Sequence, residues 1–91
     1  MTQDHLRITF VRYLLQWGEH YPAKKQDTAN LDPNDKERVL AHTMWMCEQG
    51  IQFVSHGQVE KAMRWLGFIQ GVFFSAGIYT IDELRNHSTA P

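Results

Sequence analysis

This sequence is short of the features that identify disulfide-rich, membrane or nucleic-acid-binding proteins. Its one cysteine, Cys47, rules out a disulfide framework within the chain, and a lone thiol in an apolar helical pattern suits a reducing compartment. No apolar run reaches the roughly 20 residues that cross a bilayer, and residues 1–20 show no secretory signal. Nine basic and ten acidic residues leave a net charge of −1, which gives no basic field for nucleic acid or anionic lipid. We therefore expect a soluble, cytoplasmic protein.

Residues that build metal, phosphate and catalytic sites are also scarce or badly spaced. The five histidines are scattered along the chain and Cys47 has no second thiol, so we expect no metal site. No glycine-rich loop follows a strand, which leaves no phosphate-binding motif. Cys47 and His42 lie five residues apart on a predicted helix and point to different faces, which disfavours a nucleophile pair. The sequence predicts a protein that is not an enzyme and has no cofactor.

Helical periodicity dominates what is present, and no convincing strand-like alternation appears. We predict an all-α fold in a single domain, a small bundle of three amphipathic helices plus a short C-terminal helix. The predicted helices cover about residues 2–21, 33–56, 58–76 and 81–87, with a polar connection at 22–32. The third helix is expected at the centre of the bundle.

Local signals predict where these helices begin and end. In "DPND", Asp32 is a candidate N-cap because Pro33 suits the first helical position. Gly57 is placed to take the left-handed conformation that ends a helix, and Gly77 likewise. In "TIDE", a capping box is expected at the start of the last helix.

The third helix carries an unusual strip of small residues. Gly67, Gly71 and Ser75 recur at four-residue spacing, with Phe68 beside them. Each glycine inside a helix costs about 1 kcal/mol relative to alanine, so a close approach of another backbone is the expected reason. Close packing inside the chain is the first interpretation, and self-association or a partner groove is the second.

The apolar faces of the three long helices are wider than one chain needs. Each covers about half of the helix circumference or more, against the roughly 100° stripe of an ordinary surface helix. We therefore expect a homo-oligomer, most simply a dimer, or an apolar surface kept for a partner.

Trp45 is the main candidate for a partner-binding residue. It is predicted opposite the apolar stripe of the second helix, among Arg38, His42 and Gln49. A tryptophan next to an arginine on a surface is typical of binding hot spots. The alternative is that Trp45 packs beneath the connection at 22–31.

Two polar residues of the third helix are candidates for a small-ligand site, Arg64 and Gln70. Gln70 falls within the apolar face, where its amide must find partners. We expect it to hold a neighbouring helix end, with ligand contact as the alternative. Arg64 is expected to pair with Glu60 across one helical turn.

The C-terminal half resembles a known group of proteins. The stretch "EKAMRWLGFIQGVFFSAGIYTIDELRNH", preceded by "HTMWMCEQGIQFV", is similar to small phage and prophage accessory proteins of uncharacterised function. The likeness covers residues 42–87. The resemblance implies a phage-encoded protein that acts in the bacterial cytoplasm.

These observations favour non-catalytic protein binding, an inhibitor or adaptor that engages a bacterial host or defence protein. Two other functions stay open. One is an oligomeric sponge that buries a small nucleotide-like ligand between subunits, with Arg64 and Gln70 at the site. The other is a structural phage component that associates with itself.

Overall fold

In the computed structural model, residues 1–89 are described, and all of their regular structure is helical. Four helices follow one another along the chain: α1 (Gln3–Trp17), α2 (Lys36–Ser55), α3 (Val59–Ser75) and α4 (Ile81–Ser88). Residues 90 and 91 of the predicted domain lie outside the described part. The prediction of an all-α bundle with a short C-terminal helix is confirmed.

The central helix of the bundle is α2. It packs against both α1 and α3, whereas α1 and α3 make far fewer contacts with each other. Only residues 56–58 separate α2 from α3, so the two helices run antiparallel. The expectation that the third helix is enclosed at the centre is wrong, because its face at Gly67 and Gly71 meets no other part of residues 1–89.

The first helix ends earlier than its apolar pattern suggests. α1 stops at Trp17, four residues before the predicted end at Tyr21. Pro22 disfavours a helical conformation for the residue that precedes it. The N–H groups of His20 and Tyr21 both turn back to the Trp17 carbonyl, at 3.1 and 2.9 Å, and close a turn instead of continuing the helix.

The second helix begins later than expected, because a different aspartate caps it. Asp35 is the N-cap of α2, and its side chain accepts a hydrogen bond from the Arg38 N–H at 3.2 Å. Asp32 instead accepts from the Asn34 N–H at 2.9 Å, which closes a turn ahead of the helix. The prediction of Asp32 as the cap is therefore wrong.

The other helix ends follow the sequence signals. Gly57 has a φ of +76°, and the Gln58 N–H behind it donates to the Phe53 carbonyl at 2.8 Å, which is the bond of a glycine-capped helix end. Gly77 has the same φ and ends α3 in the same way. These predictions are confirmed.

The capping box of α4 is present as predicted. Thr80 Oγ1 accepts from the Glu83 N–H at 3.1 Å, and Glu83 Oε1 accepts from the Thr80 N–H at 3.0 Å. The hydrogen bond from the Thr80 backbone is the main reason that the pKa of the Glu83 carboxyl is lowered. The cap fixes where α4 starts, and Leu84 one turn later is buried in the core.

A single core joins all four helices. Its buried apolar side chains are Leu6, Phe10, Tyr13, Leu40, Met44, Met46, Cys47, Val54, Ala62, Leu66, Ile69, Phe73, Tyr79 and Leu84. At Gly50 of α2, the Phe10 ring of α1 occupies the space that a side chain would take. The close packing of a glycine predicted for α3 is therefore found on α2.

A network of polar side chains holds α4 against the rest of the bundle. Gln70 Nε2 donates to the Tyr13 hydroxyl at 3.1 Å and to Ser88 Oγ at 3.0 Å. The Tyr13 hydroxyl is also hydrogen-bonded to His87 Nδ1, at 2.9 Å. His5 Nε2 lies 2.9 Å from the His87 carbonyl. The end of α4 is thus attached to α1 and α3 together.

This network predicts a pH-dependent stability. Burial, and then the Arg12 guanidinium, lower the pKa of His87 below its ordinary value of 6.5. The unfolded chain therefore binds more protons than the folded one as the pH falls, so the stabilisation is complete above pH 6.5 and is lost on acidification. We expect urea unfolding to show lower stability at about pH 5.5 than at about pH 7.5.

The matched variant is His87→Gln, whose side-chain amide can still form a hydrogen bond with the Tyr13 hydroxyl but does not titrate. It is expected to reduce the pH dependence between the two conditions. The pKa of His42 is also lowered, chiefly by burial, so His42→Gln removes a second, separate part of the same dependence. An unchanged pH dependence in the double variant would contradict this assignment.

Candidate functional site

An open groove of about 1010 Å³ lies between α2, α3 and the connection that precedes α2. We call it the α2–α3 groove. Its apolar lining residues are Leu31, Pro33, Val39, Leu40, Trp45, Met46, Trp65, Phe68, Val72 and Ala76. A concave, mainly apolar surface of this size is typical of a binding site. It is therefore the candidate functional site of the described chain.

The connection forms one wall of the groove because it is attached to α2 by hydrogen bonds. The Lys24 N–H donates to the Ala41 carbonyl at 3.1 Å. The Gln26 N–H donates to His42 Nδ1 at 3.1 Å, so this nitrogen carries no proton. These two bonds place the neighbouring residue, Lys25, beside the groove.

Trp45 of α2 lies next to the wall that the connection forms, and it is half-buried. Its ring is 5.2 Å from the His42 ring and 6.1 Å from the Trp65 ring, measured between centroids. The Lys25 ammonium lies 5.3 Å from the centre of the Trp45 ring, within the range of a cation–π contact. The two predicted environments are thus combined, since Trp45 contacts the connection and also lines an open groove.

The other predicted neighbours of Trp45 divide between different surfaces. His42 lines the groove with Trp45. Arg38 is exposed, pairs with Asp35 at 3.5 Å, and lines a smaller depression on another side of the connection. Gln49 is half-buried and does not line the groove. The structure therefore brings together two of the four candidate partner-binding residues.

The small-residue strip of α3 faces open space. A Cβ atom built on Gly67 or Gly71 would have no neighbour within 4 Å, so the first interpretation, close packing within the chain, is wrong. Ser75 and Phe68 line the α2–α3 groove, and the Phe68 side chain is 60% exposed. Self-association through Gly67 and Gly71 stays a prediction.

The two candidate small-ligand residues lie in different surroundings. Arg64 lines the groove and makes no ion pair with Glu60 within residues 1–89, contrary to expectation. Gln70 is hydrogen-bonded to Tyr13 and Ser88, which confirms that its amide holds a neighbouring helix end. The structure does not bring Arg64 and Gln70 into one site.

The groove carries positive charge and no negative charge. Lys25, Lys36 and Arg64 line it and are all exposed, and no carboxylate is among its lining residues in the described chain. The ion pairs found within residues 1–89 involve other cations, Arg7 with Asp4, Arg38 with Asp35, and Arg85 with Asp82. The groove therefore carries local positive charge only, whereas Arg12, Lys24 and Lys61 are further cations that lie outside it.

Cys47 and His42, the pair considered as nucleophile and base, lie in different surroundings, since His42 lines the groove and Cys47 is buried in the core. Burial is the main reason that the pKa of the Cys47 thiol is raised to about 12, so the thiol stays protonated near neutral pH. His42 holds the connection through its Nδ1. Among residues 1–89, no three histidine, cysteine or acidic side chains are placed to hold a metal ion.

Sequence reasoning missed several lining residues. Lys25 sits in a polar stretch without periodicity, and no sequence signal shows that it folds over Trp45. Lys36 lies in the predicted second helix, and no sequence signal marks it as a groove residue. Trp65 and Val72 fit the apolar pattern of the third helix, but both are only partly buried, because α2 covers one side of that helix.

A second apolar surface lies on α1, away from the groove. Ile8, Val11 and Leu15 form an exposed stripe, and Leu15 is 80% exposed. Exposed apolar surface is therefore found on this stripe as well as in the α2–α3 groove.

No protein-family model, no curated protein and no solved structure matches this chain. None of the helices in the described part combines the length and the apolar character needed to cross a bilayer. The distinguishing features of the chain are its cationic apolar groove and its open glycine strip.

Proposed function

We propose that this chain is a non-catalytic protein-binding module, a phage-encoded accessory protein that inhibits a bacterial host or defence protein by covering part of its surface. The observation that carries the proposal is the α2–α3 groove, an open and mainly apolar surface that both Trp45 and Phe68 line. Contiguous exposed apolar surface with aromatic anchors is typical of interaction sites. The resemblance of residues 42–87 to phage accessory proteins supports a bacterial partner in the cytoplasm.

Two phenylalanines of α3 give a matched test. Phe68 is 60% exposed and lines the groove, whereas Phe74 is 50% exposed and lies outside it. We expect Phe68→Glu to weaken binding to the captured bacterial partner by roughly 30-fold or more, the scale of a hot-spot residue of about 2 kcal/mol. Phe74→Glu is expected to bind like the wild type. Co-purification from bacterial lysate identifies the partner, and calorimetry on the purified pair measures the affinity.

Circular dichroism of both variants checks that the fold is retained. Equal loss of binding in Phe68→Glu and Phe74→Glu, or loss in neither, would count against the groove as the binding surface.

Self-association is a second proposal, favoured by the open strip at Gly67 and Gly71. Met63 and Phe74 flank this strip on one side and are about half exposed, with Phe68 on the other side. A second copy that packs on the strip would form the expected dimer. Light scattering of the purified chain measures the mass in solution and tests this directly.

A further inference from the structure

The charged residues that line the α2–α3 groove are all of one sign. Its three cations, Lys25, Lys36 and Arg64, have no carboxylate partner within residues 1–89. They border an apolar surface that carries no negative charge of its own. A partner that covers this surface would bring the cations out of water, which is favourable only if the partner supplies carboxylates or other anions.

The cations lie at opposite ends of the groove. Lys25 is placed over Trp45, and Arg64 precedes Trp65, whose ring packs on Trp45. Lys36 is the first residue of α2, so it lies about 14 Å from Trp45 along the helix axis, at 1.5 Å per residue. A compact anion reaches one end only. An elongated ligand with negative charge at both ends matches the whole groove.

The apolar surface between these ends has the length of a short helix. On α3 it extends from Arg64 to Ala76, about 18 Å along the axis or roughly three helical turns. Two antiparallel helices with an apolar cleft between them are a common receptor for the apolar face of a third helix. Phe68 and Trp45 are placed to contact its side chains.

We infer that the α2–α3 groove binds an acidic amphipathic helix of the partner protein, with apolar residues along one face and carboxylates near both ends. The inference rests on the proposed function and names the chemistry of the partner segment. The carboxylates pair with Lys36 at one end and with Lys25 and Arg64 at the other, while the apolar face covers Trp45 and Phe68.

The direct test uses three labelled synthetic peptides of about 14 residues, long enough to span the groove. The first has leucine and phenylalanine on one helical face and glutamate near both ends. The second replaces each glutamate by lysine, and the third scrambles the first so that composition is kept and amphipathicity is lost. Fluorescence anisotropy with the full chain is expected to show the acidic amphipathic peptide binding at least tenfold more tightly than either control.

Charge reversal localises the effect. In the variant Lys36→Glu/Arg64→Glu we expect the preference to invert, so that the lysine peptide binds better than the glutamate peptide by roughly tenfold. Arg12→Glu is the control, because Arg12 is exposed on α1 and does not line the groove. It is expected to leave the preference unchanged, and circular dichroism verifies that each variant is folded.

The outcomes separate this inference from the proposed function. No preference for the acidic peptide, or a preference that survives charge reversal, would overturn the inference. ATP or tripolyphosphate binding with the same charge dependence while the peptides fail would overturn it too, in favour of a small anion. If the peptides do not bind but Phe68→Glu still abolishes binding to the bacterial partner, the groove binds a protein segment of another chemistry, and only the inference is overturned. If the peptides do not bind and Phe68→Glu binds the partner normally, both the inference and the proposed function are overturned.

Discussion

Replacement of Gly50 by alanine is expected to lower the free energy of unfolding by about 1–2 kcal/mol. A Cβ atom on Gly50 would lie 2.5–2.7 Å from three atoms of the Phe10 ring, closer than real side chains approach. Phe10 is fully buried, so its ring can move only by disturbing the core. Overpacking of this kind costs about 1–3 kcal/mol, of which the better helix propensity of alanine offsets up to about 1. Urea unfolding followed by circular dichroism measures the change.

A double-mutant cycle tests the cause. Phe10→Leu removes the ring atoms that alanine would meet, so the cost of Gly50→Ala is expected to shrink by about 1 kcal/mol in that background. If the cost were the same with leucine at position 10, contact with Phe10 would not be its source.

The double substitution Gly67→Ala/Gly71→Ala is expected to have the opposite effect, a gain of about 2 kcal/mol. Both positions lie inside α3, and a Cβ atom at either would have no neighbour within 4 Å. Each alanine is therefore expected to raise the free energy of unfolding by about 1 kcal/mol through its better helix propensity, without a steric cost. For a domain of this size the midpoint of thermal unfolding should rise by roughly 10 °C. Thermal and urea unfolding at low protein concentration measure the gain.

Gly57→Ala is the control that shows free space is not sufficient for a gain in stability. Gly57 also has no neighbour within 4 Å, but its φ of +76° is unfavourable for alanine, so a loss of about 1 kcal/mol is expected. Destabilisation by the Gly67/Gly71 pair that grows with protein concentration would contradict open space at α3. It would show instead that a second copy packs on the strip.

These glycines show how far sequence reasoning reaches. A glycine inside a helix signals either close packing or an exposed surface, and the sequence does not say which. The prediction placed the close contact at Gly67 and Gly71, where the structure has open space, and overlooked Gly50, where Phe10 packs. The distinction depends on which helix is central, and that is a property of tertiary packing.

Signals confined to a few residues were the most reliable. The glycine-capped ends at Gly57 and Gly77 and the capping box of Thr80 were predictable because each is completed by hydrogen bonds between near neighbours in the chain. The predicted N-cap of α2 was three residues too early. Two aspartates can each accept a local backbone hydrogen bond, Asp32 in the turn and Asp35 at the helix start, and the sequence does not say which of them caps the helix.

The groove was only partly predictable. Trp45 stood out because it lies off the apolar stripe of its helix, and Phe68 because it lies beside the glycines. The position of Lys25 depends on hydrogen bonds between the connection and α2, to Ala41 and His42, that join residues sixteen or more apart. No local pattern encodes these contacts, so the charge of the groove became visible only in the folded chain.

The burial of Cys47 gives the molecule an internal reporter. It is the single thiol of the chain, it is fully covered in the core, and its raised pKa keeps it unreactive while the bundle is closed. An alkylating reagent therefore reacts at a rate set by how often the helices separate, which converts reaction time into the free energy of opening under native conditions. Because Cys47 is covered in the folded chain, a thiol-reactive fluorophore would label only a second cysteine introduced on the surface.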